Sequence, residues 1–275
     1  MVNEMDKGSD AGDDTKYVVQ ILARALRVLW TLADRNDGWT LDDLAQRLDV
    51  NKASMLRILR TLEADRVVLR EGDAYVLGPR VLELSHGYLR DLELDAVAKP
   101  FLQRLAAQTG QTVSLAVLDE LDVVYIAIEK AHRELGIQGQ IGGRHPANAT
   151  ALGKVLLADL GPDELTERLG DGELPRLTHR TLYTPDAVIA HVQQVREQGF
   201  AVDDEERGIG IRCVAAPIRS ADGRVIAAIS VAGAIFHMSD DVFAQTTARV
   251  LETAAAISSR FGYQTDTAPP VGAAR

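Results

Sequence analysis

Cysteine is almost absent: Cys213 is the single one in 275 residues. One thiol excludes an internal disulfide framework and any cysteine-rich zinc site. Long apolar runs are absent too. None approaches the roughly 20 residues that cross a bilayer, and the first residues have no hydrophobic core of a signal peptide. A cytoplasmic protein with no membrane partner is expected. Positive charge is in short supply, with 30 Lys and Arg against 40 Asp and Glu and a net charge of -10. Motifs for metals and phosphates are also missing. His132, His145, His179 and His191 form no metal-ligand spacing. The run GRHPANATALGK has the look of a phosphate loop, but Walker spacing requires Gly where Asn148 stands and Ser or Thr where Val155 stands. No GxGxxG lies between a strand and a helix. No cofactor is expected.

Composition is globular, 46% hydrophobic and 25% charged, and the length suits one large or two medium domains. The most informative stretch is Thr40 to Leu77. Thr40 can cap a helix over Leu41–Leu48, with Asp43 in a capping-box-like position and Asp42 beside it at the positive helix end. Leu41, Leu44, Ala45 and Leu48 fall on one face. After a three-residue turn, Asn51 can cap a second helix, Lys52 to about Asp65, with Met55, Ile58, Leu59 and Leu62 as its buried stripe. VVLR and YVL then alternate around Glu71-Gly72-Asp73 as a short hairpin.

Helix, tight turn, helix and hairpin in that order make a winged helix-turn-helix. The second helix begins NKASMLRILR, with Lys52, Arg57 and Arg60 and no acid. In so acidic a chain, contact with DNA phosphates and base edges is the reading that accounts for it. Lys52, Ala53, Ser54 and Arg57 fall at the exposed start that this motif offers to the major groove, and Arg70 sits near the wing tip. Any one of these arginines alone reads as a solvated surface charge; the layout gives them meaning. Ten basic and nine acidic residues lie between Tyr17 and Arg80. Binding therefore depends on where charge is placed and on more than one copy of the domain.

Residues 1–16 are acidic, polar and expected to be disordered. Val19 to Asp34 is a strong helix whose apolar residues cover more than one face; one face packs on the helix-turn-helix, and the other either meets a second subunit or is buried as part of a core helix. Pro79 can start a linker helix over 80–95. Residues 96–263 have a different texture. Helices are expected over Pro100–Gln108, Asn148–Leu160 and Pro185–Gln198, and after a Ser239 cap. Strands are expected over Thr112–Asp119, Asp122–Glu129, Leu135–Ile141, Phe200–Glu206, Ile211–Ile218 and Arg224–Ala232, with Asp222-Gly223 as a tight turn. Residues 264–275 read as a loose tail. The fold class is α+β: a winged helix-turn-helix at residues 17–79, a linker helix, and a domain of antiparallel sheet with flanking helices.

The chain resembles the IclR family of bacterial transcriptional regulators from Tyr17 to Phe261. The resemblance rests on Arg24-Ala25-Leu26, NKASMLRILRTL, YVLGPRVLELS, GGRHPANATALGKVLLA and GFAVDDEERGIGIRCVAAPIRSADGRVIAAISVAG, in that order. It implies a C-terminal effector domain of GAF-like shape, homodimers or tetramers on palindromic operator DNA, and sensing of small organic or aromatic acids. Arg24 joins the DNA-binding candidates. Two departures stand out: Asn51 replaces a frequent proline, and Leu56 a frequent polar residue.

Carried across by motif, the effector pocket comprises Ile137, Ala151 and Leu152, Asp203, Ile211 and Cys213, and Ser230. A helix start suits a carboxylate, Ser230 and Cys213 are small, and Ile137, Leu152 and Ile211 supply apolar walls. Ala232 stands where many relatives have a second serine. Each residue also has a plainer reading: Cys213 as a buried structural thiol, Ser230 as a backbone partner, Asp203 as part of a solvated acidic run. Two other classes of protein compete with this reading. An enzyme with Cys213 as nucleophile lacks an identifiable base. An interaction protein that dimerises through its first domain would bind no DNA.

Overall fold

The computed structural model describes residues 18–35, 37–84, 94–130 and 139–264. The chain divides into two compact units, residues 1–92 and 93–275. The expected tails, most of the linker helix beyond residue 84, and Ile137 lie outside the described residues.

In the first unit, α1 (Gln20–Ala33) is followed by the two-residue strand β1 (Trp39–Thr40), α2 (Leu41–Arg47), α3 (Lys52–Ala64), β2 (Val68–Glu71) and β3 (Ala74–Leu77). Both caps form. The Asp43 N–H donates to Thr40 Oγ1 at 3.2 Å, and that hydroxyl donates back to Asp43 Oδ2 at 2.8 Å. The Ser54 N–H donates to Asn51 Oδ1 at 2.9 Å. Between α2 and α3, Asp49 takes a left-handed conformation (φ 50°) and Val50 N–H returns to the Ala45 carbonyl. Val28 and Leu32 of α1, Leu44 and Ala45 of α2, and Met55, Ile58 and Leu59 of α3 enclose one core with Val68 and Tyr75.

The hairpin turns on Gly72 and Asp73 alone, because Glu71 already pairs with Ala74. Sequence reasoning missed β1, which pairs Trp39 with Tyr75 and Thr40 with Ala74 and makes a three-stranded sheet. Gly38 permits that pairing: its φ is 75°, and a Cβ there would stand 2.8 Å from the Tyr75 carbonyl oxygen.

The second unit runs α4 (Leu94–Thr109), β4 (Thr112–Asp119), β5 (Asp122–Glu129), β6 (Arg144–Pro146), a 3-10 turn at Ala147–Ala149, α5 (Ala151–Leu157), α6 (Pro162–Leu169) and α7 (Pro185–Gln198). It continues with β7 (Ala201–Asp204), β8 (Ile211–Arg219), β9 (Val225–Ala234) and α8 (Asp240–Arg260). The strands form one antiparallel sheet in the order β6-β5-β4-β9-β8-β7. Side chains alternate between its faces. Cys213 and Ala215 join the core beneath α5, α6 and α7, while Val214, Ala216 and Ile218 are buried toward α4 and α8. Residues this small on the α5 side let a helix lie close to the strands.

Three expectations are corrected, and one helix is added. The helix expected over Asn148–Leu160 is broken at Thr150, whose extended backbone separates the 3-10 turn from α5 and whose hydroxyl accepts the Gly153 N–H at 2.9 Å. Of the strand expected over Leu135–Ile141, the described residues 139–141 are not strand. The helix α6 was not anticipated, although Pro162 at its start and Asp163 and Glu164 in its first turn are ordinary helix-start signals. Ser239 precedes α8, but its side chain makes no cap; its carbonyl accepts the Phe243 N–H.

Candidate functional site

In the first unit, α3 shows two faces. Met55, Ile58 and Leu59 are buried; Lys52, Ala53, Leu56, Arg57 and Arg60 are exposed, with Ser54 half-buried. The expected basic start of α3 thus faces solvent with its cations at the surface. Arg57 leans on Ser54, with an Nη2 to Oγ distance of 3.3 Å. Lys52 Nζ is 2.8 Å from Asp42 Oδ2 in an exposed pair, a contact that a phosphate can replace at little cost. Arg70 folds over its own turn, donating to the Gly72 carbonyl and to Asp73. Arg24 is exposed on α1.

In the second unit, a cavity lies between the sheet and the start of α5. It is a tight cleft, with a free volume of only about 20 Å³, lined by Thr112, Ser114, Tyr125, Gly139, Thr150, Ala151, Leu152, Asp203, Arg207, Cys213, Ser230 and Ala232. Register explains the assembly. Thr112 pairs with Ala232, Ala232 with Cys213, and Cys213 with Asp203, so one row crosses four strands. Ser114 pairs with Ser230 in the neighbouring row. Residues far apart in sequence share one floor because antiparallel pairs set their side chains on the same face.

The floor is polar and buried. Thr112 is 3% exposed, and among the described residues its Oγ1 has no hydrogen-bond partner. A buried hydroxyl without a partner costs free energy unless something else meets it. Asp203 is 1% exposed. Its Oδ1 accepts from the N–H groups of Glu206 (2.8 Å) and Arg207 (3.2 Å). Burial pushes its carboxyl above the ordinary range, against the pull of those N–H groups and of Lys154 and Arg207. Burial and the nearby Asp203 push the Cys213 thiol well above its usual range. The thiol stays protonated, which disarms it as a nucleophile.

The walls are fixed from behind. Lys154 of α5 is fully buried; its Nζ donates to the Val202 carbonyl and to Glu206 Oε1. Thr181 donates to the Glu206 carbonyl at 2.6 Å. These contacts hold α5 against β7 and the loop after it, where Asp203 and Arg207 stand.

Of the expected pocket residues, Ala151, Leu152, Asp203, Cys213 and Ser230 meet at this cavity. Ile211 does not line it; its side chain is half-buried against the core cluster beside it. Thr112, Ser114, Tyr125, Thr150 and Arg207 line it without having been singled out. The N–H supply at the start of α5 is smaller than expected, because the helix has seven residues and Thr150 already takes the Gly153 N–H.

A winged helix-turn-helix joined in one chain to a domain with a buried polar cavity is the build of a regulator that reads DNA. The IclR helix-turn-helix domain matches residues 21–72, and the bacterial transcriptional regulator IclR C-terminal domain matches residues 86–259. The chain is 36% identical over 211 residues to the Pca regulon regulatory protein of Pseudomonas putida, spanning 76% of this chain and 72% of that one. It is 31% identical over 248 residues to the transcriptional repressor IclR of Escherichia coli, spanning 89% and 90%. An IclR homolog of Microbacterium hydrocarbonoxydans, solved in complex with 4-hydroxybenzoate, superposes with a TM-score of 0.78 at 27% identity, over 88% of this chain and 98% of that one.

The chain belongs to the IclR family of bacterial transcriptional regulators. Its members are DNA-binding regulators and not enzymes.

Proposed function

We propose that the chain controls transcription in response to a small organic or aromatic acid bound at the sheet-face cavity. Residues 17–79 read a palindromic operator as a dimer, 80–95 connect, and 96–263 sense. Arg24, Lys52, Ala53, Ser54, Arg57 and Arg70 contact DNA. Ala151, Leu152, Asp203, Cys213 and Ser230 contact the effector. The observation that carries the reading is the lining itself: hydroxyls, a carboxyl and a guanidinium converge on one buried spot under the start of α5, and among the described residues the Thr112 hydroxyl has no hydrogen-bond partner. The 4-hydroxybenzoate held by the Microbacterium homolog supports the acid class.

The outer face of α1 supports the dimer. Val18, Leu22, Leu26 and Trp30 recur every fourth residue and are 48%, 61%, 55% and 72% exposed, with Val19 and Ile21 beside them. A helical stripe of that kind has one stable fate, cover by another apolar face. We assign it to a second copy. Pairing sets two recognition helices on two half-sites and turns the second contact into an intramolecular one.

An effector that prefers one conformation of the sensing unit shifts operator affinity by the factor of its own preference. The sign depends on which conformation binds DNA better; repression, as in the Escherichia coli relative's name, fits an acid that releases the operator. The test is a gel-shift titration against the chain's own upstream DNA with excess nonspecific DNA, repeated with a panel of small acids. A shifted complex whose midpoint one acid moves is the expected result. A complex that no acid alters would leave DNA binding standing and remove the sensing role.

A further inference from the structure

Arg207 and His145 make a contact that neither the fold nor the core requires. Arg207 follows β7 and His145 lies in β6, the two edge strands of the six-stranded sheet. Their side chains nevertheless meet: Arg207 Nη2 is 2.8 Å from His145 Nε2. His145 in turn sets its ring edge-on to Tyr125, with centroids 5.5 Å apart. Tyr125 and Arg207 both line the cavity. The contact therefore belongs to the rim of the cavity.

The donor and acceptor are badly matched for a permanent bond. A guanidinium has five N–H donors in a planar fork that suits two carboxylate oxygens. Here one neutral imidazole nitrogen meets it, and among the described residues no acidic side chain forms an ion pair with Arg207. Burial and the adjacent Arg207 push the His145 pKa down to about 4, so the ring is an uncharged acceptor near neutral pH. Arg207 is also the cationic residue of the cavity lining, whereas the floor has Asp203 as a buried carboxyl and the hydroxyls of Thr112, Ser114 and Ser230. Negative charge is welcome at the Arg207 rim and opposed at the Asp203 floor.

We propose that Arg207 is the anion anchor of the effector cavity, that His145 is the acceptor it releases when the acid enters, and that the effector is a monocarboxylate with an uncharged polar end directed at the Thr112, Ser114 and Ser230 hydroxyls. This deepens the effector reading above and rests on it. It also moves the carboxylate from the start of α5 to a side chain. A charge-assisted fork is stronger than the neutral contact it replaces, so binding should open the link between the edge strands and free the loop after β7. A dicarboxylate should be disfavoured, because its second charge would lie toward Asp203.

The test is isothermal titration of the full chain with three acids and their amides: benzoate and benzamide, 4-hydroxybenzoate and 4-hydroxybenzamide, lactate and lactamide. Terephthalate serves as the dicarboxylate. At least one acid should bind tenfold or more tightly than its amide, and more tightly than terephthalate. Arg207→Gln should lower affinity for that acid about tenfold, to the level of the amide, with affinity for the amide unchanged. His145→Leu removes the competing acceptor and should tighten acid binding severalfold, which keeps the proposal exposed even if the Arg207 variant folds poorly. Equal binding of acid and amide by the parent chain, or full acid affinity in Arg207→Gln, would overturn the anchor and leave the sensing role intact. Binding of none of the seven compounds would overturn both.

Discussion

At the level of single residues, the two units pose different electrostatic problems. On α3 the cations are solvated, and their worth depends on a partner. Arg57 is exposed and held lightly by Ser54. Arg57→Ala should weaken specific operator binding by about 1–3 kcal/mol if the guanidinium reaches a base, or mainly flatten the salt dependence if it reaches a phosphate. Gel shifts at two salt concentrations separate the cases, and unchanged affinity at both would remove Arg57 from the interface. In the second unit the issue is burial. His191 lies on α7, and among the described residues its Nε2 has no hydrogen-bond partner; burial, and then the charge of Lys154, push its pKa from 6.5 down to about 4. Between those values the unfolded chain takes a proton that the folded chain refuses, so stability falls as pH drops from 6.5 toward 4 and is unaffected by this group above 6.5. His191→Gln should make the fall in urea midpoint between pH 7 and pH 5 shallower than in the parent; equal slopes would mean the imidazole is not held neutral. Neither Arg207 nor Thr112 could be picked out from sequence, because each gains its significance from neighbours set by sheet register and loop path. Ser230 and Asp203 could be singled out only through the motif resemblance, since on composition they read as a backbone partner and a solvated acid.

At the level of elements, the features legible in the sequence were those with local causes. Thr40 and Asn51 announce their helices because a cap needs only the next three residues, and the strands β4, β5, β8 and β9 announce themselves by apolar runs between turn residues. The two-residue β1 has no pattern to read; it exists because β3 is there to pair with it. The break at Thr150 was hidden because both sides of it favour helix, and the reason for it is tertiary. Gly153 of α5 packs on the 3-10 turn so closely that a Cβ would stand 2.2 Å from the Cα and carbonyl oxygen of Ala147. The same junction sets Thr150, Ala151 and Leu152 at the cavity. Gly153→Ala should therefore destabilise the second unit by about 1–3 kcal/mol, the usual cost of overpacking, despite the higher helix propensity of Ala. Urea unfolding followed by circular dichroism checks it. A rise in stability would show that α5 can lift from the turn without cost.

For the molecule as a whole, the decisive quantity is the number of DNA-reading surfaces acting together. The chain carries a net charge of -10, and its segment Tyr17 to Arg80 is close to neutral, so nonspecific attraction to DNA is weak. A single recognition helix with a few exposed cations gives modest affinity at physiological salt. Two copies held at a fixed spacing gain from effective concentration, by factors of about 100 to 10,000. The outer stripe of α1 is the surface assigned to hold them, and its separation from the inner face makes the idea testable. Val28 and Leu32 pack into the core, whereas Leu22 and Leu26 face outward. Changing the outward pair to Asp adds charge where a second apolar helix would lie and leaves the unit's own core untouched. In Leu22→Asp/Leu26→Asp the circular dichroism spectrum should be retained, because substitutions at exposed sites away from the core change folding by only about 0.5 kcal/mol. Affinity for a full palindromic operator should fall about 100-fold, while affinity for an isolated half-site should stay within a factor of about three. Sedimentation of the protein–operator complex should show the loss of paired occupancy at protein concentrations where the parent fills both half-sites. Equal loss on full and half sites would mean that the substitutions had damaged the domain itself. No loss on either would mean that this stripe faces solvent in the working assembly and that pairing of the DNA-reading units comes from elsewhere in the chain.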